Sequence, residues 1–297
     1  MPRDESAIAH ELTRLSVAEI VDAAGMREAP ALVRALVEVA AGVPSRRLGE
    51  RLARFDADVA AQGISVAARS VLRAFGASVE VTGSIPASGA VLVITNHPGA
   101  YDSLATMSAL GRDDVALVAA DRAFLRAMPH VSEHLVFVAD ARTAGSAVAR
   151  AAGLRAALAW LSAGRVLVQY GAGVIEPDVR FPRPDDGSDV LCAWSDGTGV
   201  LVAQALKRGA RVVPVFVSGV HSARAKRLQL VRWAERRGIT TIAPLLQATL
   251  PGFRDVHVRV RIGAALEGDA LAALEAETTY PGRTARVRAA VASLARS

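Results

Sequence analysis

The chain is poor in cysteine, lysine and aromatic side chains, and it has no long apolar run. Its 297 residues include one cysteine, Cys192, which excludes an internal disulfide and any zinc site built from several cysteines. In the segment LCAW a lone cysteine reads as a small buried apolar residue, and no base motif flanks it to make it a nucleophile. Aromatics make up 4% of the chain, which argues against a platform of rings for stacking bases, so no nucleic-acid partner is expected. No stretch reaches the roughly 18 apolar residues of a spanning helix. The best candidate, 31–43, is broken by Arg34 and Glu38. The opening MPRDESAIAHEL lacks the basic-then-apolar layout of a secretory signal, and the expectation is a cytoplasmic protein. The only lysines are Lys207 and Lys226, the other cations being arginine, and the net charge is +6. A basic surface attracts anionic partners such as phospholipid headgroups or phosphorylated substrates.

Hydrophobic residues make up 52% of the chain and charged residues 22%, which suits a folded chain with a substantial core. Residues 6–75 read as helical. Ser16 and Glu19 fit a capping box that would start a helix. Pro30 and Pro44 bracket a second helical segment, a third runs from about Ser45 to Ala61, and a fourth follows Gly63. From residue 78 the pattern changes to short β-branched runs: VEVTG at 79–83, VLVIT at 91–95, VALVA at 115–119, LVFVA at 135–139, VLVQY at 166–170 and VVPVFVSG at 212–219. Val256 to Ile262 alternates apolar and polar residues, as an edge or antiparallel strand would. Helical segments at 102–110, 145–163 and 198–208 lie between the runs. Strands alternating with helices predict an α/β fold with a mostly parallel sheet covered by helices. The predicted organisation is an N-terminal helical region, 1–75, followed by an α/β domain, 76–297.

The sharpest chemical feature is Thr95-Asn96-His97-Pro98-Gly99-Ala100-Tyr101-Asp102, directly after the apolar run VLVIT and before a helix. This places His97 at the carboxyl end of a strand, where α/β proteins build their sites. Pro98 and Gly99 force a turn and let another molecule approach the backbone. Asp102 can fold back onto the imidazole as the helix begins. A carboxylate on one ring nitrogen fixes the tautomer and stabilises the imidazolium, and the other nitrogen then takes a proton from a hydroxyl. Such a pair without a protein nucleophile suits direct transfer to a substrate hydroxyl. On spacing alone, the same residues also describe a turn histidine beside a helix-capping aspartate.

NHPGAYD fits the N-H-x-x-x-x-D motif of the glycerophospholipid acyltransferase family, and the chain resembles that family, in particular its 1-acylglycerol-3-phosphate acyltransferase-like members, over about residues 79–265. VAADRAFLR at 118–126 is similar to the family's segment in which a basic residue follows the next strand, with Arg122 in that place. FVADAR at 137–142 resembles the second motif; Asp140 falls on the expected arginine and Arg142 lies two residues later. VLVQYGAGVIEPD at 166–178 resembles the third, usually F-P-E-G-T-R, and VVPVFVSGV at 212–220 the fourth. The resemblance implies transfer of a fatty acyl group from acyl-CoA or acyl-carrier protein to a hydroxyl of a glycerolipid-type acceptor, such as glycerol 3-phosphate or lysophosphatidate, in phospholipid biosynthesis. It implies His97 as general base oriented by Asp102, with no metal and no bound cofactor. Asn96, Gly99, Arg122, Arg142, Gly171 and Gly173 are the expected substrate-binding positions.

The third motif departs from the family. Tyr170, Gly171, Ala172 and Gly173 stand where Phe, Pro, Glu and Gly are usual, and Val174 and Ile175 replace the Thr-Arg pair. The arginine that would hold an acceptor phosphate is therefore missing, which leaves Arg122 and Arg142 for that task. Gly171 and Gly173 either bring backbone amides to the acyl carbonyl or mark a strand-to-loop turn. Glu176 either replaces the missing acid or is an exposed loop residue before Pro177, the second being the expectation. An inactive acyl-binding protein on the same fold, or a hydrolase releasing fatty acid to water, are the alternatives.

His130 and His134 match H-x-x-E-H, a zinc-protease pattern, but Pro129 and the run from Leu135 leave no room for the helix it needs. His221 and His257 have no partner motif. Residues 224–237 read as a basic helix carrying Leu228, Val231 and Trp233, either a solvated face packed on the core or a contact with the inner face of an anionic membrane.

Overall fold

The computed structural model describes residues 4–23, 30–139, 147–181, 190–237, 239–240 and 242–296. Strands form where the β-branched runs predict them: β1 (Ala77–Thr82), β2 (Val91–Thr95), β3 (Val115–Ala120), β4 (Leu135–Val138), β5 (Val166–Tyr170), β6 (Arg211–Ser218) and β7 (Val256–Ile262). The helices before and among them are α1 (Glu5–Ala23), α2 (Ala31–Gln62), α3 (Ile64–Ala74), α4 (Asp102–Leu110), α5 (Ala123–Arg126), α6 (Pro129–Ser132) and α7 (Ala147–Ser162). They continue with α8 (Asp196–Leu206), α9 (Ala223–Arg227), α10 (Gln229–Glu235), α11 (Ile242–Thr249), α12 (Gly268–Ala276) and α13 (Tyr280–Leu294). The fold is α/β with a mostly parallel sheet.

The strand order is β1-β7-β6-β2-β5-β3-β4. From β6 to β4 the neighbours are parallel, and β7 runs antiparallel to β6. The apolar run of β2 is buried at every position, as a strand covered on both faces requires. β2 lies between β5 and β6, with Thr95 opposite both Tyr170 and Val215. The turn after β2 therefore emerges beside the loop after β5, and this register builds the site. The alternation in β7 belongs to an antiparallel strand that is not an edge, since β1 lies outside it.

Contacts divide the chain into two compact units. One comprises Met1–Ser78, Arg122–Glu133 and His221–His257; the other comprises Val79–Asp121, His134–Val220 and Val258–Ser297. In the second unit, Leu92 and Ile94 of β2, Leu167 of β5 and Phe216 of β6 share a core with Leu161, Val202, Leu274 and Val291. Each such side chain contributes about 1.5–3 kcal/mol by leaving water.

The first unit is helical, apart from the strand ends at its borders. Two expected boundaries within it do not exist. α1 runs straight through Ser16, which is buried on the same stripe as Ile8 and Leu12. Burial continues past the capping-box residues to Val21, so packing overrides the local start signal. α2 likewise continues through Pro44. An interior proline costs about 3 kcal/mol, but Ala41, Ser45, Ala53 and Phe55 on either side of it are buried, and this face holds the helix together. α1 and α2 come so close at Gly49 that a Cβ there would sit 2.6 Å from Thr13 Oγ1.

Segment 224–237 is not one helix. α9 and α10 are separated by Leu228 in extended conformation. α10 buries Val231 and Ala234 and exposes Leu230 and Trp233. α6 spans only Pro129–Ser132, so no helix carries both His130 and His134. Among the described residues, no helix is long and apolar enough to cross a membrane.

Candidate active site

At the end of β2 the chain reverses tightly. Gly99 and Ala100 have φ of +84° and +53°. Glycine adopts this region freely, whereas an alanine in it costs about 1–2 kcal/mol. The reversal carries Asp102, first residue of α4, back onto His97. His97 Nδ1 lies 2.7 Å from Asp102 Oδ2, and the Gly99 N–H donates to the same oxygen at 2.8 Å. Asp102 is 1% exposed and the His97 side chain 25% exposed. Because a carboxylate accepts, Nδ1 bears the hydrogen and Nε2 carries the basic lone pair.

The second oxygen of Asp102 is also held. Ser103 Oγ donates to Oδ1 at 3.1 Å. The hydroxyl of Tyr170, at the end of β5, lies 2.9 Å from Ser103 Oγ and 3.3 Å from Asp102 Oδ1. The Tyr170 ring stacks on the His97 ring, with centroids 4.1 Å apart and an interplanar angle of 23°. Burial, and then the charge of Asp102, push the Tyr170 hydroxyl well above its ordinary range, so it remains a donor.

Glu176 corrects the expectation of an exposed loop residue: it is 2% exposed. Its Oε2 accepts from the His97 N–H at 2.9 Å, and its Oε1 accepts from Cys192 N–H and Trp194 Nε1, each at 3.1 Å. Its own N–H donates to the His97 carbonyl at 2.7 Å. Burial raises its pKa, and these hydrogen bonds only partly offset the effect. Three donors converging on one carboxylate explain how the charge-bearing group sits inside. Asp178, also buried, accepts from the N–H groups of Gly219, Val220 and Arg180 and ties the loop after β5 to the end of β6. Cys192 is half-buried rather than a core residue. Its carbonyl accepts from Arg288 Nε at 2.7 Å.

The remaining expected site residues have different positions. Asn96 is buried and its amide exchanges two hydrogen bonds with Val217, accepting at 2.7 Å and donating at 2.8 Å. It extends the β2–β6 ladder. Gly171 donates its N–H to the Thr95 carbonyl at 3.0 Å, and Gly173 donates to the Tyr170 carbonyl at 3.2 Å. Both amides are hydrogen-bonded within the turn. Gly171 instead provides room: a Cβ there would lie 2.1 Å from the Trp194 ring. Gly99 faces Ile175, whose Cγ2 would lie 3.2 Å from a Cβ at 99. Val174 and Ile175 are 57% and 50% exposed, an apolar surface on the segment paired with His97. Arg122 is exposed at the N-cap of α5, in the helical unit. Arg142 lies outside the described residues.

Compared with known proteins, the chain matches no family model and no curated protein. Among solved structures it is similar to the crystal structure of the 1-acyl-sn-glycerophosphate (LPA) acyltransferase PlsC from Thermotoga maritima. The sequence identity is 17%, covering 84% of this chain and 82% of that one, with a TM-score of 0.49.

Proposed function

We propose that this chain is an O-acyltransferase that moves a fatty acyl group from acyl-CoA or acyl-carrier protein to a hydroxyl of a glycerolipid-type acceptor. The observation that carries the reading is the His97–Asp102 pair, with the carboxylate buried and fixed on Nδ1 and the imidazole reaching the surface. Nε2 takes the proton of the acceptor hydroxyl as its oxygen attacks the thioester carbonyl. The tetrahedral intermediate expels the thiolate, and the imidazolium returns the proton to it. Ester and free thiol are the products, and the histidine is regenerated. Ser103 donates its hydroxyl hydrogen to Asp102, which favours direct transfer over an acyl-enzyme. The exposed Val174 and Ile175 suit substrates with hydrocarbon chains. The acceptor in this reading is a glycerolipid such as glycerol 3-phosphate or lysophosphatidate.

The same reading places the protein at an anionic membrane surface through residues 224–237. Arg224, Arg227, Arg232, Arg236 and Arg237 are exposed there, beside Leu230 at 60% and Trp233 at 44% exposure. A shallow depression of about 470 Å³ is lined by Gln229, Leu230, Arg232, Trp233 and Arg236. Mixed cationic and apolar side chains of this kind suit a headgroup boundary.

The test is thiol release from acyl-CoA and from acyl-carrier protein against a panel of acceptors: glycerol 3-phosphate, lysophosphatidate and neutral monoacylglycerol. Acceptor-dependent release supports the reading. Release of fatty acid with no acceptor would replace it with hydrolysis.

A further inference from the structure

We propose that Tyr170 is a positioning residue for this reaction, holding Ser103 against Asp102 through its hydroxyl and His97 through its ring; the inference rests on the reading of His97 as the base. Asp102 is surrounded by donors on both oxygens. Oδ2 takes His97 Nδ1 and the Gly99 N–H, and Oδ1 takes Ser103 Oγ and faces the Tyr170 hydroxyl. Tyr170 has one hydroxyl hydrogen, and the shorter distance is to Ser103, 2.9 Å against 3.3 Å. The bonds therefore run from Tyr170 to Ser103, from Ser103 to Asp102 Oδ1, and across the carboxylate to His97. Each donor fixes the carboxylate's rotation and draws charge from it.

The ring acts on the other partner. At 4.1 Å and 23° it lies almost flat against the imidazole, so it restricts ring rotation and presents a π-face to the imidazolium formed during transfer. A phenylalanine would provide the face without the hydroxyl. The Tyr170 side chain thus approaches both members of the pair and Ser103. Among the described residues, Asp102 on α4, Tyr170 at the end of β5 and Glu176 in the loop beyond are titratable groups that face His97.

Tyr170→Phe separates this role from packing, because the buried ring remains. Without the Tyr170 hydroxyl, Ser103 becomes a weaker donor to Asp102, whose carboxylate then attracts the imidazolium more strongly, so His97 should titrate higher by about half a unit to one unit. The measurement is an NMR titration of the histidine rings, with the His97 signal assigned by its loss in His97→Ala. The acid limb of kcat/KM for acyl transfer should move by the same amount. Should Tyr170→Phe not fold, 3-fluorotyrosine placed at 170 takes its place: it keeps the ring and makes the hydroxyl a stronger donor to Ser103, so His97 should titrate lower. A titration that superimposes on the wild type in the folded variant overturns the proposal. The NMR readout needs no substrate. A protein that transfers no acyl group but whose His97 titration moves would contradict the acyltransferase reading and retain Tyr170 in its positioning role. An active enzyme with an unmoved titration would do the reverse.

Discussion

Glu176 grips His97 from behind with two hydrogen bonds: its carboxylate accepts from the His97 N–H at 2.9 Å, and its own N–H donates to the His97 carbonyl at 2.7 Å. The turn after β2 is thereby locked to the loop after β5, and the imidazole is aimed by backbone on one side and by Asp102 on the other. Glu176 also accepts from Cys192 and Trp194, so a single carboxylate joins the His97 turn, its own loop and the segment before α8.

Glu176→Gln should destabilise the fold. A carboxamide has one oxygen, and either orientation points its NH2 at a donor: at the His97 N–H, or at Cys192 and Trp194. A buried donor left unsatisfied costs about 1–3 kcal/mol. Urea unfolding should show that loss. Turnover should fall as well, because the His97 backbone loses its anchor. A variant as stable and active as the wild type would show the carboxylate to be dispensable.

The same carboxyl makes a pH-dependent contribution. Its folded pKa lies above the ordinary 4.5 because burial disfavours the charge. The folded state therefore binds the proton more tightly than the unfolded chain, and the resulting stability is complete below the unfolded pKa. It is lost as pH rises through the folded pKa. The stability difference between wild type and Glu176→Gln, measured by urea unfolding at a series of pH values, should shrink upward from about pH 4.5; the other carboxyls cancel in the difference. A difference that stays constant or grows with pH would mean that the hydrogen bonds outweigh burial.

Vesicle sedimentation tests the membrane surface. Binding to phosphatidylglycerol-containing vesicles should exceed binding to phosphatidylcholine vesicles and should weaken with salt. Arg232→Glu and Arg236→Glu should each cost about 1 kcal/mol or more of binding, and Trp233→Ala should weaken it through lost apolar burial. Equal binding by wild type and variants would assign the contact to another surface. Binding to nucleic acid but not to vesicles would assign these arginines to a different partner.

What was legible in the sequence was local. VLVIT, the glycine turn and the helix beginning at Asp102 are contiguous, and they sufficed to place His97 against Asp102. The central strands β2, β5 and β6 were legible because burial on both faces requires unbroken apolar runs. Tyr170 and Glu176 were not, because they reach the pair through the β2–β5 register, with Tyr170 standing 68 positions from Asp102. Glu176 resembled a solvated residue because only its three distant donors, absent from any local pattern, make its burial tolerable. Ser16 and Pro44 misled for the opposite reason: both are strong local signals overridden by the packing of α1 on α2. No composition shift announces that 122–133 and 221–257 join the N-terminal helices in one compact unit.

In the proposed reaction His97 takes the acceptor's proton during acyl transfer. The direct measurement is mass spectrometry of the products formed from acyl-CoA carrying a 13C-labelled chain and a lysophospholipid or glycerol 3-phosphate, with wild type, His97→Ala and Asp102→Asn. The wild type should form labelled ester and one thiol per ester. The His97→Ala rate should be lower by about two to four orders of magnitude, with Asp102→Asn also impaired and its fold intact. Ester formed by His97→Ala at the wild-type rate, or labelled fatty acid in place of ester with the wild type, would contradict the account.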